Sequence, residues 1–106
     1  MTSKHIEKDK DGFLVNLEDW SPTVAEELAQ AEDITLSPEH WEVLNALRDF
    51  YQEFDLSPAM RPLTRYLKIK LGPEKSTSIY LMTLFPGSPA KLTAKIAGLP
   101  RPENCL

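Results

Sequence analysis

The segment Pro38–Phe54, PEHWEVLNALRDFYQEF, sets Trp41, Leu44, Leu47, Tyr51 and Phe54 at spacings of three and four. That is the period of a helix with one face on a core, so the segment reads as a single amphipathic helix. Ser37 stands before it as an N-cap, its hydroxyl able to accept from an unpaired N–H of the first turn. Pro38 follows at the position where a missing donor costs nothing. The same pair recurs at Ser21-Pro22, Ser57-Pro58 and Ser88-Pro89, each time ahead of a helix-compatible pattern. The four pairs are expected to mark four helix starts.

C-terminal to this helix, Asp55-Leu56-Ser57 is a tight link to a helix from Pro58 to Leu71, stopped by Gly72-Pro73. It is expected to bury Leu63, Tyr66 and Leu67 and to turn Arg61, Arg65 and Lys68 outward. Ser76 is placed to cap a fourth, short helix through Ile79, Tyr80, Leu81, Leu84 and Phe85, ended by Pro86-Gly87. The fifth, Pro89 to Ala97, presents Leu92 and Ile96, with Lys91 and Lys95 exposed. Gly98 suits a left-handed position after it, with Leu99 packing back near Ala94. On the N-terminal side, Pro22 to Glu32 forms the first helix, burying Val24, Leu28 and Ala31. Residues 5–16 read as a β-hairpin, with Phe13-Leu14-Val15 as a strand and Asp9-Lys10-Asp11-Gly12 as the turn. The expected fold is mainly α and a single domain. A small orthogonal bundle of about five helices spans 22–97, with an N-terminal β-hairpin at 5–16 and a flexible C-terminal arm at 98–106.

The arm is Gly98-Leu99-Pro100-Arg101-Pro102-Glu103-Asn104-Cys105-Leu106. Pro100 and Pro102 lack backbone donors and push Leu99 and Arg101 toward extended geometry. Fully extended, Pro100 to Leu106 reaches roughly 20 Å. The chain's one cysteine is next to last. A lone cysteine is commonly a small buried hydrophobe. Burying this one would also bury Arg101, Glu103, Asn104 and a terminal carboxylate, so the inert and the reactive readings both stand. Prenylation requires a cysteine four from the end, which this is not.

Over 106 residues the net charge of −4 conceals a split, −10 for residues 1–55 and +6 for 56–106. Such a dipolar chain suits oriented docking, while a pI of about 5.1 argues against tight autonomous nucleic-acid binding. With one cysteine no intrachain disulfide exists, no secretory apolar region follows Met1, and no apolar run is long enough to cross a membrane. A cytoplasmic location is expected. His5, His40 and Cys105 are too few and too dispersed for a closed zinc site, and no Gly-rich phosphate loop occurs, so no metal or cofactor is expected. Of the chemistry-bearing groups only Cys105 is left, and a thiol on an arm is suited to exchange with other sulfur atoms. The flanking charges nearly cancel: Arg101 favours the thiolate, while Glu103 and the Leu106 carboxylate oppose it. Activation is therefore expected from a partner's pocket.

Several stretches together resemble the TusE/DsrC family of sulfur-relay proteins. They are Asp11-Gly12-Phe13-Leu14-Val15-Asn16 with Trp20, Phe50-Tyr51-Gln52-Glu53-Phe54, Leu84-Phe85-Pro86-Gly87-Ser88-Pro89-Ala90-Lys91, and Ile96 through Leu106. The resemblance implies that Cys105 carries sulfur as a persulfide. The DsrC type has a second arm cysteine 11 residues before the penultimate one; here that position is Ala94. The single-cysteine pattern resembles the TusE-like branch, whose partners are a donor complex, TusBCD, and the tRNA thiolase MnmA with its tRNA, in wobble 2-thiouridine synthesis. On that reading the chain is a sulfurtransferase, and Lys91, Lys95 and Arg101 are candidate partner-binding residues. The alternatives are a DsrC-like partner of dissimilatory sulfite reductase or sulfur oxidation, and a DNA-binding regulator using the helix pair 38–54 and 58–71, with Arg61, Arg65 and Lys68 facing a groove.

Overall fold

The structure is a computed structural model that describes residues 6–102. Five helices follow one another: α1 Pro22–Gln30, α2 Pro38–Phe54, α3 Met60–Leu71, α4 Ser78–Leu84 and α5 Pro89–Ile96, with single 3-10 turns at Leu17–Asp19 and Pro73–Lys75. The mainly helical expectation holds. The N-terminal hairpin does not form as two strands. Among the described residues the only pairing there is one antiparallel bridge between Lys8 and Leu14, around a turn in which Gly12 N–H donates to the Asp9 carbonyl. The bridge is held by Asp9 N–H donating to the Phe13 carbonyl at 2.8 Å and Val15 N–H to the Glu7 carbonyl at 3.1 Å, while the Asp9 carboxylate accepts from the N–H groups of Asp11 and Phe13 within the turn.

The bounds of α2 are those read from the sequence. Ser37 Oγ accepts from His40 N–H, and His40 Nδ1 accepts in return from Ser37 N–H at 3.0 Å, a capping box with histidine in the reaching position. A backbone N–H can only donate, so Nε2 carries the ring hydrogen and donates to the Leu84 carbonyl at 2.8 Å. The buried face is rotated from expectation. It comprises His40, Val43, Leu44, Ala46, Leu47 and Phe50, while Trp41 and Tyr51 lie at its edge and Phe54 is 48% exposed. Leu44 and Leu47 stay at the centre of the buried face, and His40, Val43, Ala46 and Phe50 fill the rest of it in place of Trp41, Tyr51 and Phe54.

The third helix begins at Met60 rather than Pro58: Ala59 takes the cap position without a side-chain bond, and the Ser57 hydroxyl bonds elsewhere. Ser76 closes the preceding 3-10 turn on the Pro73 carbonyl, and Thr77 caps α4, leaving Ile79 exposed. Ala31, expected in the core, is exposed beyond the end of α1.

Helix α5 packs against α1, α2, α3 and α4. Its small residues allow this: Ala90, Ala94 and Ala97 are buried, and fully buried Thr93 satisfies its hydroxyl on the Ala90 carbonyl. The element leading into the C-terminal segment is thus the centre of the bundle. Among the described residues no helix is long and apolar enough to cross a membrane.

Candidate functional site

At the end of α5 the backbone enters a Schellman turn. Gly98, at φ 75°, donates to the Lys95 carbonyl at 3.1 Å, and Leu99 donates to the Ala94 carbonyl at 2.9 Å. Glycine is required twice over at this point. A side chain at positive φ is strained, and a Cβ there would overlap Cβ, Cγ and Cδ1 of Trp20.

The next orphan carbonyls are taken by side chains from far away in sequence. Trp20 Nε1–H donates to the Ile96 carbonyl at 2.9 Å, and an Arg48 guanidinium N–H donates to the Ala97 carbonyl at 2.5 Å. Arg48 lies over the Trp20 ring, 3.8 Å from its centroid, so each holds the other in place. Burial draws the Arg48 pKa below its ordinary value, though a guanidinium keeps its charge at neutral pH. Further out, Ser57 Oγ–H donates to the Pro100 carbonyl at 2.6 Å. Leu99 and Pro102 are buried, and Arg101 pairs with Asp11. The first five residues of the sequence-defined arm therefore lie along the bundle. A groove of about 520 Å³ runs beside them, lined in part by Trp20, Asn45, Arg48, Gln52, Asp55 and Leu99.

Cys105 lies outside the described residues, with Glu103, Asn104 and Leu106. Of the candidate partner-binding cations, Lys95 and Arg101 come together above Phe13, at 5.4 and 5.2 Å from its ring centroid. Lys95 is not exposed as expected: its side chain is 12% accessible and bonds Glu32 at 2.9 Å. Lys91 sits half-buried on α5, one helical turn before Lys95. The sequence reading did not single out Arg48 or the roles of Ser57 and Trp20. One signal was present for Arg48, the only Lys or Arg between Lys10 and Arg61. Among the described residues no cluster of three His, Cys, Asp or Glu is arranged to hold a metal ion. The described part of the site holds residues 98–102 against the bundle.

Comparison with known proteins gives one answer at three levels. The "DsrC like protein" family matches residues 1–106. The chain is 50% identical over 103 residues to Sulfurtransferase TusE of Escherichia coli K12, covering 97% of this chain and 94% of that one. It is 48% identical over 101 residues to the Sulfurtransferase TusE homolog of Haemophilus influenzae, covering 95% and 93%. Among solved structures, Allochromatium vinosum DsrC superposes with a TM-score of 0.88 at 45% identity, over 97% of this chain and 92% of that one. The oxidized gamma-subunit of dissimilatory sulfite reductase (DsrC) from Archaeoglobus fulgidus gives 0.83 at 37% identity, over 97% and 94%. With identity of this order along nearly its whole length, the chain belongs to the TusE/DsrC family of sulfur-relay proteins.

Proposed function

We propose that this protein is a sulfurtransferase that takes up sulfur on Cys105 and passes it on. The carrying observation is that Cys105 is the chain's one cysteine, at the next-to-last position, in a protein half identical to sulfurtransferases over 103 residues. In the uptake step the Cys105 thiolate attacks the outer sulfur of a donor persulfide. The new S–S bond makes Cys105 a persulfide, and the bond within the donor breaks to release the donor's thiolate. In delivery an acceptor cysteine thiolate attacks that outer sulfur and Cys105 leaves as thiolate. Each step moves one sulfur atom with no net oxidation.

The single-cysteine pattern supports a donor complex resembling TusBCD, an acceptor resembling MnmA, tRNA 2-thiolation as the endpoint and the cytoplasm as the location. With Ala94 in place of a second arm cysteine, no intrachain disulfide is available to support a role at dissimilatory sulfite reductase. The bundle at 22–97 serves as the handle and the segment at 98–106 as the delivering arm.

Incubation with persulfide-loaded donor complex should add one sulfur atom to the C-terminal peptide, detected by mass spectrometry, and Cys105→Ser should abolish both the adduct and tRNA thiolation. A Cys105→Ser protein that still supports thiolation would sink the reading. A salt-sensitive mobility shift on duplex DNA would favour the regulator alternative instead.

A further inference from the structure

We infer that Ser57, supported by Trp20 and Arg48, is a positioning residue for sulfur transfer, pinning the backbone at Pro100. The inference rests on the carrier reading above. Trp20 and Arg48 bond the carbonyls of Ile96 and Ala97, which any helix end leaves without partners, so capping alone would account for them. Capping does not account for Ser57. Its partner carbonyl, at Pro100, is three residues past the last capped position, on a residue that is itself exposed. Ser57 is 5% exposed and gives up the N-cap role of a Ser-Pro pair to make this bond at 2.6 Å, and α3 starts late with no side-chain cap. A buried hydroxyl thus leaves its ordinary use to fix an exposed stretch of backbone between Leu99 and Pro102.

The consequence is a shorter tether. Counted from Pro102, three residues lead to Cys105; counted from Leu99, six. Effective concentration of a tethered group falls roughly as the −3/2 power of tether length, so doubling the length lowers it about threefold. The loss belongs to encounter, not to the thiol's chemistry.

The test compares the wild-type chain with Ser57→Ala and Ser57→Gly, each of which removes the hydroxyl and leaves Trp20 and Arg48 in place. In ¹⁵N relaxation the wild-type amide of Arg101 should have an order parameter near that of rigid backbone, about 0.85, falling toward about 0.6 in the variants while Ala94 is unchanged. With persulfide-loaded donor complex, KM should rise about threefold at constant kcat. The rate of Cys105 alkylation by iodoacetamide should hold within about twofold, since the thiol's own reactivity is untouched. A wild-type Arg101 already as mobile as a free chain end overturns the inference, even where a variant fails to fold. So does a folded variant whose KM is unmoved. A chain that carries no sulfur while Arg101 loosens as expected refutes the carrier reading instead and leaves the anchoring intact.

Discussion

Gly98 shows how much can rest on one residue. It turns the chain out of α5 at positive φ with Trp20 against its α-carbon, so no alternative backbone relieves a side chain there. Gly98→Ala should destabilise the protein by about 2–4 kcal/mol, combining left-handed strain with overpacking. Urea unfolding checks it, and a loss under about 1 kcal/mol would mean the turn relaxes freely. Tyr80 is the opposite case. Its hydroxyl is buried without a partner among the described residues, and burial raises its pKa. Because the folded value lies above the unfolded one, the neutral ring's contribution is complete below about pH 10 and is lost as pH rises through the folded value. Tyr80→Phe should therefore be neutral or stabilising by up to about 1 kcal/mol at pH 7, and should flatten the alkaline fall in stability. In an ultraviolet titration one of the three tyrosines should ionise late, and the variant should lack that phase. Gly98's role was legible from its place after an apolar period, but no pattern in the sequence reveals a hydroxyl left without a partner.

Among the elements, α2 was the most legible because two local signals agree, Ser37-Pro38 at its start and the three-four period along it; Asp55 closes it in left-handed geometry. What the sequence did not disclose is that His40 works twice, bonding Ser37 with one nitrogen and tying α2 to the Leu84 carbonyl with the other. His40→Ala should lower stability by about 2–3 kcal/mol, the sum of a lost cap, an abandoned partly buried carbonyl and the ring's lost packing on Phe85. His40→Gln should recover part of that loss, since glutamine also serves in the reaching position of the box. Equal losses in thermal unfolding would show that the Leu84 contact carries nearly all of the effect. The α3 start was misread for a reason of the same kind. Ser57-Pro58 has every local mark of a helix start, yet a partner 43 residues away takes the hydroxyl. The hairpin is shorter than expected: the turn forms where its chemistry was visible, but its arms share a single bridge and are not two strands. Local signals are reliable until a distant group competes for the same atom.

For the molecule as a whole, the split between an acidic first half and a basic second half is partly resolved by folding. Lys75–Glu42, Lys95–Glu32 and Arg101–Asp11 each join a cation from beyond residue 55 to an acid before it. Two of the pairs are well exposed, where such contacts contribute little. Lys95–Glu32 is different: the lysine is mostly enclosed, and its stem passes beside Gly12 and Phe13 and so covers the N-terminal turn. Sequence position alone made Lys95 a candidate for partner binding; its surroundings give it a structural occupation that the charge pattern did not reveal. Lys95→Ala, which removes both charge and stem, should cost about 1–2 kcal/mol. Lys95→Met, which keeps an unbranched apolar stem, should cost about half as much, the remainder being the ion pair. In 1 M salt wild type and Lys95→Met should draw closer, because screening weakens the ion pair, though less than it would a fully exposed one. The same two proteins separate structure from docking. If KM for persulfide-loaded donor is unchanged in Lys95→Met, the residue serves the fold alone, whereas an increase that exceeds the stability effect and vanishes in salt returns it to the partner-facing surface with Arg101.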